Sequence, residues 1–233
     1  MIEFSTKADA DDSGSEWISV SDLMAGLMMV FLCVAMFMMN AANTEREKVR
    51  KIARSYMENQ LAIYESLNRE FEKDFKRWGA YLDKEKLEIT FQGSDAMFAT
   101  GDVEITENYR AVLNKFFPRY MAVLSPYQDS INGVHIEGHT SSSWSDKYNA
   151  SDSYFKNLSL SQRRAGSVLE YLYFLDSVES YRTWILKNVA AVGYSSSRPV
   201  PDAVGNEDVE RSKRVVFRVV TNSDSRIRSI LEE

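Results

Sequence analysis

The chain has 233 residues, 44% hydrophobic and 27% charged, with a net charge of −6. That length accommodates one membrane span plus one ordinary domain, and the lack of a basic excess removes the electrostatic footprint expected of a nucleic-acid binder. The only cysteine is Cys33, so an intrachain disulfide is excluded.

Residues 1–16 carry Glu3, Asp9, Asp11, Asp12 and Glu16 against Lys7, and they read as a short, disordered cytoplasmic tail. Residues 17–40 follow as a transmembrane helix. No charge occurs from Leu23 to Asn43, and about 20 apolar residues in helical form cross a hydrocarbon core. The acidic start, the length of the run and an aspartate inside it favour a retained anchor over a cleaved signal peptide.

That aspartate, Asp22, is the most informative residue of the segment. A carboxylate within a span costs roughly 2.5–3.5 kcal/mol on insertion scales and faces a bundle interior or an aqueous path. A single span has no bundle of its own, so Asp22 implies partner helices and an ion to carry. On a helix Asp22, Gly26, Met29 and Cys33 share a face, and Ala25 and Gly26 permit close approach of a neighbour. The alternative reading is an interface aspartate that only snorkels. Arg46, Lys48, Arg50, Lys51 and Arg54 follow the span and by charge alone would place the C-terminal side in the cytoplasm.

Residues 41–86 read as a helical stalk. The segment 41–78 contains no Pro and no Gly, and Tyr64, Leu67, Phe71, Phe75, Trp78 and Leu82 form an apolar seam at helical spacing. The seam suits either packing on the chain's own domain or a parallel homodimer, and the need for a partner at Asp22 tilts the expectation to the dimer.

From Leu87 to residue 233 the pattern becomes α/β, a mixed sheet packed on helices. Strands are expected at Leu87–Phe91, Gly133–Gly138, Val189–Val192 and Arg214–Val220. Helices are expected at Thr106–Leu124, bent or broken by Pro118, and at Leu160–Leu175, capped by Ser159 or Ser161. Ser141–Asn157 reads as a long polar loop, of the kind that is often functional.

Two blocks carry a resemblance. Trp17-x-x-x-Ser21-Asp22-Leu23-Met24, followed by a Met-rich span, resembles the membrane segment of MotB-type stator subunits. Ile136-Glu-Gly-His-Thr140, Asn157-x-x-Leu160-Ser161-x-x-Arg164-Ala165-x-x-Val168, Gly193-Tyr194 and Arg211-Ser-Lys-Arg214 resemble the OmpA/MotB peptidoglycan-binding domain. Asp95, Phe98, Gly101 and Thr106 fit that domain's opening strand and turn. Within this family the short acidic N-terminus, the direct run into a stalk and the compact length are most similar to the ZorB branch of Zorya anti-phage defence systems.

The resemblance implies that Asp22 binds the transported ion, protons in the first place, with sodium as the alternative because Ser19 and Ser21 lie near. It implies that Arg164 holds a carboxylate-bearing diaminopimelate of the peptidoglycan stem peptide, that Asn157 bonds the peptide, and that Leu160 and Ser161 shape the helix beneath. Thr140 and Ser141 fall at the family's Gly-x-Thr-Asp, where the aspartate grips the ligand's amine. Ser141 replaces that aspartate here, with Asp146 or Asp152 as candidate substitutes, and Tyr148-Asn149 is a rival to Asn157 in the alignment. The implied partners are a MotA-like (ZorA-like) membrane protein, five copies to two of this chain, a second copy of the chain, and peptidoglycan, with no direct nucleic-acid contact. The implied place is the bacterial inner membrane, N-terminus cytoplasmic and C-terminal domain periplasmic, against the charge rule above.

No nucleophile–base constellation or phosphate-binding glycine loop is visible, so an enzyme is not expected, and no cofactor. His135 and His139 lie four apart, but they lack a third ligand or a helical zinc signature. The competing readings are a flagellar-type MotB stator subunit and a passive wall tether without ion transport.

Overall fold

In the computed structural model residues 12–93, 97–99, 101–144 and 147–222 are described. Two compact units are present, Met1–Ala53 and Arg54–Glu233. The long helix α1 runs from Asp12 to Trp78. Because it begins at Asp12, the end of the acidic tail is helical, where a disordered segment was expected.

In the first unit α1 carries the Met-rich run with its large apolar side chains exposed, Leu23, Met36 and Phe37 among them. Among the described residues it is the one helix long and apolar enough to cross a membrane.

The second unit contains a five-stranded sheet. Its strands are β1 (Ala80–Asp83), β2 (Glu88–Gln92), β3 (Ile131–His139), β4 (Val189–Gly193) and β5 (Arg214–Thr221), in the order β1-β2-β5-β3-β4. β3 and β4 are parallel, and the other pairs are antiparallel. The helices are α2 (Glu107–Leu124), α3 (Ala150–Tyr173), α4 (Arg182–Asn188) and the short α5 (Val209–Ser212). The chain crosses from β3 to β4 through α3, as parallel neighbours require.

One face of the sheet builds the core. Phe91, Ile136, Val215, Phe217 and Val219 are buried on it, and the ring of Phe116 on α2 lies 5.1 Å from Phe91, 4.9 Å from Phe217 and 5.2 Å from Phe71 of α1. Such ring pairs add to area burial. The opposite face is charged, with Glu88 across from Arg218 and His139 across from Arg214.

Several expectations change. The apolar seam does not stand free for a second copy: Ile63, Leu67 and Phe71 are fully buried in the domain's own core, with Tyr64, Phe75 and Trp78 packed on it. Arg119 of α2 secures the same stretch, its Nε donating to Glu70 Oε1 at 2.6 Å and Nη1 to Asp74 Oδ2 at 2.7 Å. The range read as stalk also contains β1, which pairs with β2. Helix α2 runs through Pro118 without breaking, because the residues flanking the proline, Phe116, Phe117, Tyr120 and Met121, are all buried and hold it in place. Half of the expected polar loop is helix: α3 begins at Ala150, capped by Asn149, whose side chain accepts from Asp152 N at 2.8 Å. Ser161 is therefore inside a helix and caps nothing.

Two glycines set the distance between α3 and the sheet. A Cβ on Gly138 would overlap the Ser161 carbonyl, and one on Gly193 would lie 2.5 Å from Gln162 N. The fourth turn of α3 thus sits directly on the ends of β3 and β4.

Candidate peptidoglycan-binding cleft

The close seat of α3 brings its buried polar face to the end of β3. Ser161 Oγ accepts from Ser195 N at 3.0 Å and donates to Leu158 O at 3.0 Å. Ser195 Oγ donates to Tyr154 O at 2.7 Å, and Thr140 N donates to Ser195 O at 2.9 Å. Ser195 is fully buried at φ 53°, a left-handed conformation this network holds in place. The backbone at Thr140 and the helix turn carrying Asn157 and Arg164 are thereby locked together.

A cleft of about 260 Å³ opens there, lined by Gly101, Thr140, Ser141, Asn157, Leu160 and Arg164, with Ser143, Trp144 and Lys213 completing its wall. Every peptidoglycan-site residue expected from the sequence, Thr140, Ser141, Asn157, Leu160 and Arg164, lines this one cleft. Asn149 serves as the α3 cap and Asn157 is the asparagine in the cleft. Asp152 lies in the first turn of α3 and does not line the cleft. Asp95 and Asp146 lie outside the described residues.

Arg164 is 6% exposed. Its Nε donates to Asp102 O at 2.8 Å and its Nη2 to Ala99 O at 3.2 Å, and the guanidinium lies 4.8 Å from the centre of the Phe98 ring. It holds a turn closed by the Phe98–Ile105 bridge and by Thr106 N to Met97 O at 2.9 Å. Within this turn Asp102 accepts from Val103 N at 2.6 Å and Glu104 N at 3.2 Å, and these backbone donors hold its carboxyl below the usual range.

Among the described residues two polar atoms in the cleft lack an intramolecular partner, Asn157 Nδ2 and Thr140 Oγ1, on residues only 2% and 5% exposed. A buried unmatched donor costs about 1–3 kcal/mol, so both are set to gain from a ligand acceptor. With the cations of Arg164 and of Lys213, whose Nζ also donates to Glu210 Oε1 at 3.0 Å, they make a lining that suits a carboxylate. No carboxylate is found among the described lining residues, and Ser141 Oγ is engaged with Ser143 Oγ at 3.2 Å. Lys213, Gly101 and Ser143 were not singled out in the sequence as site residues. Lys213 was within reach of inspection, since it lies in the quoted Arg211-Ser-Lys-Arg214 block.

Behind the cleft, Glu137 is 1% exposed and faces His139 Nε2 at 3.3 Å, Arg218 at 3.4 Å and Arg198 at 3.6 Å. Burial alone would raise its carboxyl, but His139 and the two arginines outweigh this and hold it low. Burial lowers His139, and the attraction of Glu137 does not overturn that. His139 stacks on Tyr194 at 5.2 Å, with Arg198 on the same ring at 3.7 Å.

In the first unit Asp22 shares an open face of α1 with Trp17, Ile18, Ser21 and Ala25. A Cβ built on Gly26 meets nothing within 4 Å.

Comparison with known proteins bears on the whole chain. The OmpA family model matches residues 97–213, a range that includes every residue lining the cleft. The Zorya protein ZorB of Escherichia coli (strain ATCC 8739) is 44% identical over 223 residues, 96% of this chain and 95% of that protein. YtxE of Bacillus subtilis is 31% identical over 119 residues, 51% of this chain and 42% of that one. Among solved structures, a MotB-like protein from Desulfovibrio vulgaris is 23% identical, covers 72% of this chain and 94% of that one, and has a TM-score of 0.49. With the family's range enclosing the cleft and the ZorB match running nearly end to end, the chain belongs to the OmpA family of non-enzymatic proteins and, over 96% of its length, with the ZorB proteins.

Proposed function

We propose that the chain is the wall-anchored, ion-conducting stator subunit of a MotA/MotB-like rotary motor that serves anti-phage defence. The observation that carries this is the 44% identity to ZorB over 96% of the chain. It spans both the helix with the lone intramembrane carboxylate and the domain with the cationic cleft, so the two features belong to one device.

In this reading two copies stand inside a ring of five MotA-like (ZorA-like) subunits in the bacterial inner membrane, N-termini cytoplasmic and cleft domains periplasmic. The open Asp22 face, with Gly26 beside it, meets the partner helices. The Asp22 carboxyl there takes a proton from one side of the membrane and releases it to the other. A charge crossing 100 mV yields about 2.3 kcal/mol, enough to drive a conformational step in the ring. The cleft holds the wall through a stem-peptide carboxylate, with Arg164, Asn157, Thr140 and Ser141 around it and Leu160 against the chain. Anchoring of this kind makes the ring turn rather than the stator.

The test is phage plating efficiency on cells with the native operon, comparing wild type with Asp22→Asn at equal membrane levels. Protection lost in the variant supports an ion-driven motor. Equal protection makes Asp22 structural and the chain a passive tether. No protection by the wild type removes the defence assignment and returns the flagellar-type stator.

A further inference from the structure

The cleft has one wall that carboxylate recognition does not use. Its floor is polar and cationic, but Trp144 on its rim is 38% exposed. An exposed aromatic alone means little. This one is held in place: Ser142 N donates to both carboxylate oxygens of Glu207, at 3.0 and 3.2 Å, and the Ser142 hydroxyl bonds the same group. Ser141 and Ser143 pair through their hydroxyls. Ser142 therefore ties the loop to Glu207 two residues before the indole, the serines on either side of it bond each other, and the ring is presented at low entropic cost.

A ligand for such a cleft needs a hydrogen-bonding carboxylate at one end and, next to it, a flat apolar face. A stem peptide alone supplies the first. A pyranose ring, whose axial C–H bonds make one face apolar, supplies the second, and in the wall polymer it is covalently joined to the peptide. We infer that Trp144 is a glycan subsite: its indole stacks on a sugar of the strand whose stem peptide fills the cleft. This rests on the wall-binding reading above and adds that the protein recognises the peptide and the sugar together.

The experiment uses the full chain in detergent, titrated calorimetrically with two probes, a disaccharide–tripeptide wall fragment and the free tripeptide of the same sequence. Wild type is expected to bind the disaccharide–tripeptide about 5-fold more tightly, the scale of one aromatic contact. Trp144→Ala is expected to bring that fragment down to the free-peptide affinity and to leave the free peptide unchanged, and Trp144→Phe to retain most of the difference. Equal affinity of both probes for wild type overturns the inference, as does an equal weakening of both in Trp144→Ala, which would make the indole a peptide contact. If wild type binds neither probe, the wall-binding reading itself falls and the subsite with it.

Discussion

Arg164 reaches across 62 positions to the backbone carbonyl of Asp102, Nε to O 2.8 Å. The same guanidinium that lines the cleft also fastens the turn forming one of its edges, so the lining and the shape of the cleft depend on one side chain.

Arg164→Lys should therefore do more than weaken a ligand. The charge survives, but the planar fork that serves two carbonyls does not. We expect a loss of about 1.5–3 kcal/mol of domain stability, the scale of hydrogen bonds to charged groups, together with release from sedimented cell walls. Urea unfolding and wall pull-down measure the two effects separately. Unchanged stability would mean that the turn holds without Arg164.

Gly138→Ala places a methyl group against the Ser161 carbonyl. Backbone cannot rotate aside as a side chain does, so overpacking of about 1–3 kcal/mol is expected. The Ser161–Ser195 bond should loosen with it, visible as faster amide exchange at Ser195. A variant as stable as wild type would show that α3 can lift without penalty.

Acid should destabilise the second unit in two stages. His139 is held below its ordinary 6.5 and Glu137 below its ordinary 4.5. The unfolded chain then binds the more protons, so stability is full above these values and is lost as pH falls. The first decline, below pH 6.5, belongs to His139, and the second, below pH 4.5, to Glu137. His139→Gln should flatten the melting temperature between pH 7 and 5. An equally steep fall in that variant would assign the first stage to other groups.

Phe71→Ala tests where the seam of α1 packs. The ring is fully buried among Phe75, Trp78 and Phe116, so about 3–5 kcal/mol should be lost. The loss should not vary with protein concentration. A concentration-dependent loss would restore the seam to an interface between copies.

The second unit was legible in the sequence where its elements were long. β3 and β5 run for nine and eight residues, and most of each was found. β1 has four residues, with Tyr81 exposed on the sheet edge, so its pattern was too short to separate from the helix before it. The start of α3 was hidden by Ser151, Asp152 and Ser153, residues typical of loops, although Asn149 with Asp152 three positions on is a helix-start signal. The seam from Tyr64 to Trp78 was correctly apolar, but helical spacing cannot say which surface a stripe meets. The gathering of Thr140, Ser141, Asn157, Leu160 and Arg164 followed from motif order. The carbonyl partners of Arg164 did not, because they depend on a turn some 60 positions away.

The burial of Ile63, Leu67 and Phe71 has a consequence for making chimaeras. A splice at Leu87, where the alternating pattern starts, would detach three core side chains and β1 and leave a hollow in the recipient. A graft that carries its own filling must be cut upstream of Arg54, where the compact unit begins. Exchange of N-terminal segments between relatives should therefore yield folded hybrids only at junctions well before the apparent start of the OmpA-family domain.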